Sequence, residues 1–521
     1  MIALPRRHDL LLEWLCPLPV LAVILLSGVL FGGVAWWFAP LAVLGVGVSL
    51  AAGIIRIGWK RDRLFLASPL LFLALGLCAW AVVQLLPLPQ AIVARLSPIT
   101  AQVYSHGNAP VKLTAETTGE NRPAPAGSRI ALSLNRPEGL RRLVLLASGV
   151  GVFWFFGKWT DRQSKLIVVL AIVAMLGVVN AVAVSLQLLD GSPGLMGLFQ
   201  PDHRLVIGPG WVDISSSPHF STPLAIKNDQ NSAIWAIHEP SATGLVGIIP
   251  GGLVSTVSLA SISLPVMLGC LCFMAQRRGS RLDLLERLRD RGYQGLSLVL
   301  VLSMMISSFL LGLSGRWFAI MPAMAGLMIV GLFAIRADLE RYFVVVSLVL
   351  QALGLCAGFL PRAVWNHSRE FGFERIWTDL STFDTWLRDS LALWQFSGWT
   401  GLGLGAYSDT VAYWQHAPVH ASAAPSGIMQ MVIELGLPMA SALALASLWI
   451  LWRSFRTIFR TSPEHRCLIG AVLGGSLSIA MAWLLLPGWN VPILVLLSAA
   501  MAGLADRTLC GARDLYVEAW E

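Results

Sequence analysis

Long apolar runs recur along the chain, separated by short polar connections and three long ones. A helix needs about 20 mostly apolar residues to cross ~30 Å of hydrocarbon, because only internal hydrogen bonds satisfy its backbone there. Twelve runs fit that pattern, at roughly 18–38, 40–55, 65–87, 143–157, 166–189, 253–275, 295–313, 317–335, 342–360, 428–452, 467–486 and 491–505. They predict an all-α polytopic membrane protein of about 12 transmembrane helices in a single transmembrane domain. Trp36, Trp37, Trp154 and Trp159 stand at run boundaries, where amphipathic rings favour the membrane interface. Arg6 and Arg7 precede the first run and no small-residue cleavage site follows it, which predicts an uncleaved first helix.

Alternating twelve spans puts both termini on one side. The short connections of that side are basic: Arg56 to Arg63, Lys158 to Lys165, Arg277 to Arg291, Arg336 to Arg341 and Arg453 to Arg466. With the termini they hold 23 of the 37 lysines and arginines and 14 of the 29 acidic residues. The positive-inside rule then predicts cytoplasmic termini. Composition agrees with a membrane protein, since only 13% of residues are charged against about a quarter in soluble domains. That balance excludes a disordered chain and argues against an ordinary soluble enzyme. The formal charge of +8 is accounted for by the basic side, so it reads as an orientation signal and not as a nucleic-acid footprint.

Three long loops fall on the opposite, outer side, at about 88–139, 190–252 and 361–427. Loops of this length are usually functional or disordered. These keep Trp211, Trp235, Trp365, Trp377, Trp386 and Trp399, which predicts packed caps. From Glu370 to Trp394 charged and apolar residues recur at helical spacing, predicting amphipathic helices on the membrane surface. No cysteine lies in the outer loops, so no disulfide framework is expected there, and Cys270–Cys272 without a nearby His is no metal site.

Ionisable residues within spans usually mark ion or proton pathways. Glu434, near the outer end of the tenth run, is the one clear case; Gln430 shares its helical face at i, i+4. No Walker A sequence and no twofold repeat are found, and Pro265 is the only candidate kink noted, so a transporter is the alternative class and not the first reading. The chemistry concentrates at the outer surface. Ser314-Gly315-Arg316 is a tight turn between two runs, Arg388 leads a segment into Gly401-Leu-Gly403-Leu-Gly405, and His416 and His420 precede the tenth run. The three glycines follow no strand, so they predict a tight turn under the site and not a dinucleotide fingerprint. Each residue has a plainer role too: Arg316 as a headgroup-binding interfacial arginine, Arg388 as the i, i+4 partner of Asp384, His420 and His416 as solvent-facing loop residues.

Five segments, in order, resemble the O-antigen ligase and polysaccharide polymerase superfamily of bacterial membrane proteins. They are Gln84-Leu-Leu-Pro-Leu-Pro89 with Leu96-Ser-Pro98, Leu132-Ser-Leu-Asn-Arg136-Pro, Leu313-Ser-Gly-Arg316, Arg388 through Gly405, and Gln430-Met-Val-Ile-Glu434-Leu-Gly-Leu-Pro438. Where the family has a His before its Glu-Leu-Gly helix, this chain has Pro425 followed by Ser426, and His420 lies five residues upstream. The resemblance implies an inner-membrane enzyme that transfers glycan from an undecaprenyl-diphosphate carrier to a sugar hydroxyl at the periplasmic face, without a metal or cofactor. Polymerisation of repeat units for exopolysaccharide, capsule or O-antigen is the leading reading. Ligase-type transfer to an acceptor glycan, a flippase of the same carrier and a non-catalytic assembly partner remain alternatives. Under this resemblance His420 and Arg316 are the catalytic candidates. Arg388, Glu434, Arg204, Lys227 and His416 are the substrate-binding candidates, with Asn228 to Asn231 near Lys227. A fixed guanidinium matches phosphate oxygens bidentately, and a hydroxyl nucleophile needs a base that titrates near neutrality, as His does. Membrane lipids and other polysaccharide-assembly proteins are the further expected partners.

Overall fold

The computed structural model describes residues 13, 15–29, 38–60, 68–98, 100–101, 104, 129–190, 204–207, 210–213, 253–278, 284–314, 317–335, 341–365, 387–407, 410, 424, 426–460, 463–485 and 492–510. The described chain is mostly helical. Every predicted run holds a helix over described residues: α1 (Leu18–Val29), α2 (Phe38–Lys60), α3 (Pro69–Leu85), α5 (Arg136–Trp159), α6 (Gln163–Asp190), α7 (Leu253–Arg278), α8 (Leu284–Ser314), α9 (Trp317–Ile335), α10 (Arg341–Trp365), α12 (Leu437–Arg460), α13 (Pro463–Leu485) and α14 (Pro492–Cys510). Two short helices, α4 (Gln90–Leu96) and α11 (Gly427–Leu435), and a helical stretch over 387–397 complete the helical set. Among the described residues five helical segments are long and apolar enough to cross a membrane: Arg136–Trp159, Gln163–Val182, Ser258–Gln276, Gln294–Gly312 and Arg466–Leu485.

The helices pack as a bundle with α7 and α13 inside. α13 lies against α9, α7 and α14; α7 also meets α6 and α8, while α14 packs along α5 and α10 along α8. Close approach depends on small residues, as expected where no hydrophobic driving force separates helix from lipid. Ser478 of α13 shows how the packing tolerates a proline. Pro265 inside α7 has no N–H, so the carbonyl of Ser261 one turn earlier loses its intrahelical donor. The Ser478 hydroxyl lies 2.8 Å from that carbonyl and 2.7 Å from the carbonyl of Pro322 in α9, and serves as the shared donor. The peripheral helices turn large apolar side chains outward, as Val345, Val346, Val349 and Leu353 do on α10.

The strands form two small two-stranded ribbons. β1 (Leu88–Pro89) pairs antiparallel with β2 (Arg129–Ile130), and β3 (Arg204–Ile207) pairs with β4 (Gly210–Asp213). Beside the first ribbon, Val93, Ala101 and Leu132 form a small apolar cluster over the ends of α3 and α5.

The sequence pattern needs correction at the tenth run. Residues 428–452 are not one helix: α11 ends at Leu435, Gly436 takes φ 73°, and α12 starts afresh at Leu437. The fourth run also begins too late. α5 starts at Arg136, with Asn135 as its cap accepting from the Glu138 N–H at 3.0 Å and Pro137 in the first turn, so Arg142 lies inside the helix.

Candidate functional site

Ending a helix at Leu435 leaves its last carbonyls without intrahelical donors. Each is met from elsewhere. The Gly436 N–H donates to Val432 O at 2.8 Å, Leu402 N–H to Ile433 O at 3.0 Å, Gly403 N–H to Glu434 O at 3.0 Å, and the Trp80 indole N–H to Leu435 O at 2.9 Å. Beyond the break, the Leu437 N–H donates to Trp399 O at 2.8 Å. The segment 399–405 thus runs along the helix break as an extended partner. Gly403 must be glycine: its φ is 93°, and a Cβ there would stand 2.1 Å from Ser133 Cα.

Gln84, at the end of α3 and fully buried, ties three segments together. Its amide NH2 donates to Thr400 O at 2.9 Å and Glu434 O at 3.1 Å, and its Oε1 accepts from the Leu404 N–H at 3.2 Å. Ser133 adds a fourth strand of contacts, donating its N–H to Gln84 O at 3.0 Å and its hydroxyl to Leu404 O at 2.9 Å. The segment after α3 joins through Thr400, whose hydroxyl donates to Leu96 O at 2.9 Å.

At the centre of this knot lies the Glu434 carboxylate, with 0% of the residue exposed. Its Oε1 accepts from Arg142 Nη1 at 2.6 Å and Gln430 Nε2 at 3.1 Å; its Oε2 accepts from the Gly405 N–H at 3.0 Å. Arg142, 6% exposed, also donates Nε to Glu138 Oε1 at 3.0 Å. Its guanidinium is therefore spent on two carboxylates. Gln430 turns its NH2 toward Glu434, and its buried Oε1 has no donor among the described residues. Among the described residues, Arg142 and Gln84 are the site components that sequence reasoning missed. The signals were an arginine shortly after the Asn-Arg-Pro helix start and a glutamine at the polar end of an apolar run.

Above the knot, the helical stretch 387–397 leads into the glycine turn. Its Leu393 packs with Leu402, Ala406, Tyr407, Ala424 and Ile433, and Ser390 shares a 3.1 Å hydrogen bond with the Tyr407 hydroxyl. Burial pushes the Tyr407 phenol above the ordinary tyrosine range; the Ser390 bond opposes this and the negative charges of Asp389 and Glu434 add to it. Asp389 is buried, whereas Arg388 is exposed on this stretch. Glu434 takes its donors from Arg142, Gln430 and Gly405, so the structure does not pair Arg388 with it. Arg204 lies on β3 opposite Asp213. Arg316, His416, His420 and Lys227 lie outside the described residues, as do Asp384, Pro425 and Asn228 to Asn231. Gly401, Gly403 and Gly405 do form the tight turn expected, at φ 78°, 93° and 81°. Four of the five segments that carry the family resemblance meet in the knot. No three His, Cys, Asp or Glu side chains among the described residues form a metal-ligating group.

A second polar cluster occupies the other end of α5, about 26 Å from Arg142 by helix rise. Lys165, 1% exposed, pairs with Glu13 and Asp161; Arg56 pairs with Glu13 at 2.9 Å. The Trp159 indole donates to Glu13 O at 3.1 Å while Lys165 stands over its ring. These basic residues, read from the sequence as an orientation signal, also pin α1, α2, α5 and α6 together.

No protein-family model matches the chain, and comparison with curated proteins returns no match.

Proposed function

We propose that the protein is a glycan-transferring membrane enzyme, a polymerase of lipid-linked oligosaccharide repeats acting at the outer face of the bacterial inner membrane. What supports the reading is the knot: Gln84, Ser133, the Arg388–Gly405 segment and Gln430–Pro438 are far apart in sequence, carry the family resemblance, and pack into one buried polar unit. A loop fixed so completely at its base can present its upper side chains in one geometry, which is what transfer between two large substrates requires.

In this reading the twelve helices all span the membrane, both termini are cytoplasmic, and the three long loops are periplasmic. The donor is a glycan on undecaprenyl diphosphate. The acceptor hydroxyl loses its proton to His420 as its oxygen bonds to the anomeric carbon, and the bond from that carbon to the diphosphate oxygen breaks, the electron pair leaving with the carrier. Arg316 and the exposed Arg388 neutralise the charge that develops on the diphosphate. Arg142 is excluded from that role because two carboxylates already hold it. Glu434 is assigned to positioning, through the Gly405 N–H and Arg142. Gln430 Oε1, an acceptor with no donor among the described residues, is the place in the knot where a hydroxyl or an imidazole N–H from above would bind.

The test is His420→Ala, assayed for glycan lengthening on undecaprenyl-diphosphate repeats alongside expression and elution of the purified protein. Loss of at least about a hundredfold in rate with an unchanged elution profile is expected for a general base. Full activity would remove His420 from the mechanism.

A further inference from the structure

The far end of α12 carries a feature that glycan transfer does not use. Leu445 and Trp452 are 56% and 58% exposed, and with Arg456 they share one face of the helix at i, i+7 and i+11. Along that face an apolar residue gives way to a tryptophan and then to an arginine, the order found from a bilayer interior to its headgroups. The spacing agrees. Arg456 lies twenty residues beyond the helix break at Gly436, about 30 Å along the axis, which is the thickness of the hydrocarbon core.

The arginines there are not loose surface charges. The Arg456 guanidinium stands 4.6 Å from the Trp452 ring centroid, and Arg453 stands 5.3 Å from that of Trp449. Trp449 is itself packed against the cluster of Leu70, Leu71 and Phe153, so the inner pair is fixed to the bundle. A cation–π contact uses the flat face of a guanidinium, and the in-plane N–H groups are the ones that match two phosphate oxygens at once. Arg456 is exposed, and among the described residues no carboxylate forms an ion pair with it. The two stacked pairs are three residues apart, which brings their side chains about 5–6 Å from each other at Cβ.

We propose that Trp449, Trp452, Arg453 and Arg456 form a binding site for the phosphate of an anionic phospholipid at the basic end of the bundle. Anionic lipid is favoured over zwitterionic because the positive charges of Arg453 and Arg456 oppose a headgroup ammonium. The proposal rests on α12 alone and is independent of the enzymatic reading.

The experiment uses the full-length protein purified in detergent with equal amounts of phosphatidylglycerol and phosphatidylcholine, and reads the lipid retained by native mass spectrometry. Wild-type protein is expected to retain phosphatidylglycerol preferentially. Arg456→Gln should lower that retention about fivefold, matching the contribution of one arginine at a membrane surface. Arg456→Lys and Trp452→Leu, which leave the charge or the arginine in place and so put folding at little risk, should each lose part of the preference. Unchanged preference in Arg456→Gln, or in Arg456→Lys and Trp452→Leu should the first variant fail to fold, would overturn the proposal. Displacement of the lipid by inorganic phosphate at equal concentration would also overturn it, because the site would then take the free ion.

Discussion

Glu434 and Arg142 are 292 positions apart in the chain and 2.6 Å apart in the structure. A buried pair of this kind gains little over an apolar core, but removing one partner strands the other charge. Glu434→Ala should therefore destabilise by about 3–5 kcal/mol, and Arg142→Ala by a similar amount. The double variant should cost clearly less than the sum, because each single change already forfeits the same bond. Thermal unfolding of the four proteins in one detergent checks this, and additive losses would show that the pair is not coupled. Nothing in hydropathy could pair these residues. Glu434 was legible as an ionisable group in an apolar run; Arg142 was not, because a hydropathy window opens the run at 143 while the helix opens at its Asn135 cap. The Asn-Arg-Pro-Glu start was nonetheless a readable helix signal.

At the scale of elements, helix position was legible and helix interruption was not. Apolar length predicts where a helix lies, and each of the twelve runs holds a helix over described residues, the tenth broken at Gly436. The break at Gly436 was masked by that same apolarity, since Leu435 and Leu437 continue the run on both sides. Gly436 and Pro438 were the breaker signals, and the donors supplied by residues 402 and 403 and by Trp80 are what make the break stable. Because each of those carbonyls accepts a hydrogen bond within the protein, the break serves to hold the glycine turn. The carbonyl that Pro265 leaves without a donor is met in the same way, by a hydroxyl from another helix. Ser478→Ala should cost about 0.6–1.7 kcal/mol. Adding Pro265→Ala, which restores an N–H for the Ser261 carbonyl, should recover part of that loss. A midpoint of unfolding no higher in the double variant than in Ser478→Ala would contradict this account of the hydroxyl.

For the whole molecule, two polar clusters bracket α5: the Glu434 knot at one end, and Lys165 with Glu13, Asp161 and Arg56 at the other. The first gathers an apolar bundle's polar resources under one loop face, and the second locks the opposite end. The alternation of apolar runs sorts the polar connections into two predicted groups. It could not foretell that each group closes into a network, which depends on helix packing. The central claim, that the face above the knot transfers lipid-linked glycan, is tested most directly by supplying purified protein with undecaprenyl-diphosphate-linked repeat units and following glycan length. Lengthened glycans with release of undecaprenyl diphosphate are the predicted result. Repeat units that neither lengthen nor move to an acceptor, while crossing the bilayer of vesicles that contain the protein, would contradict it.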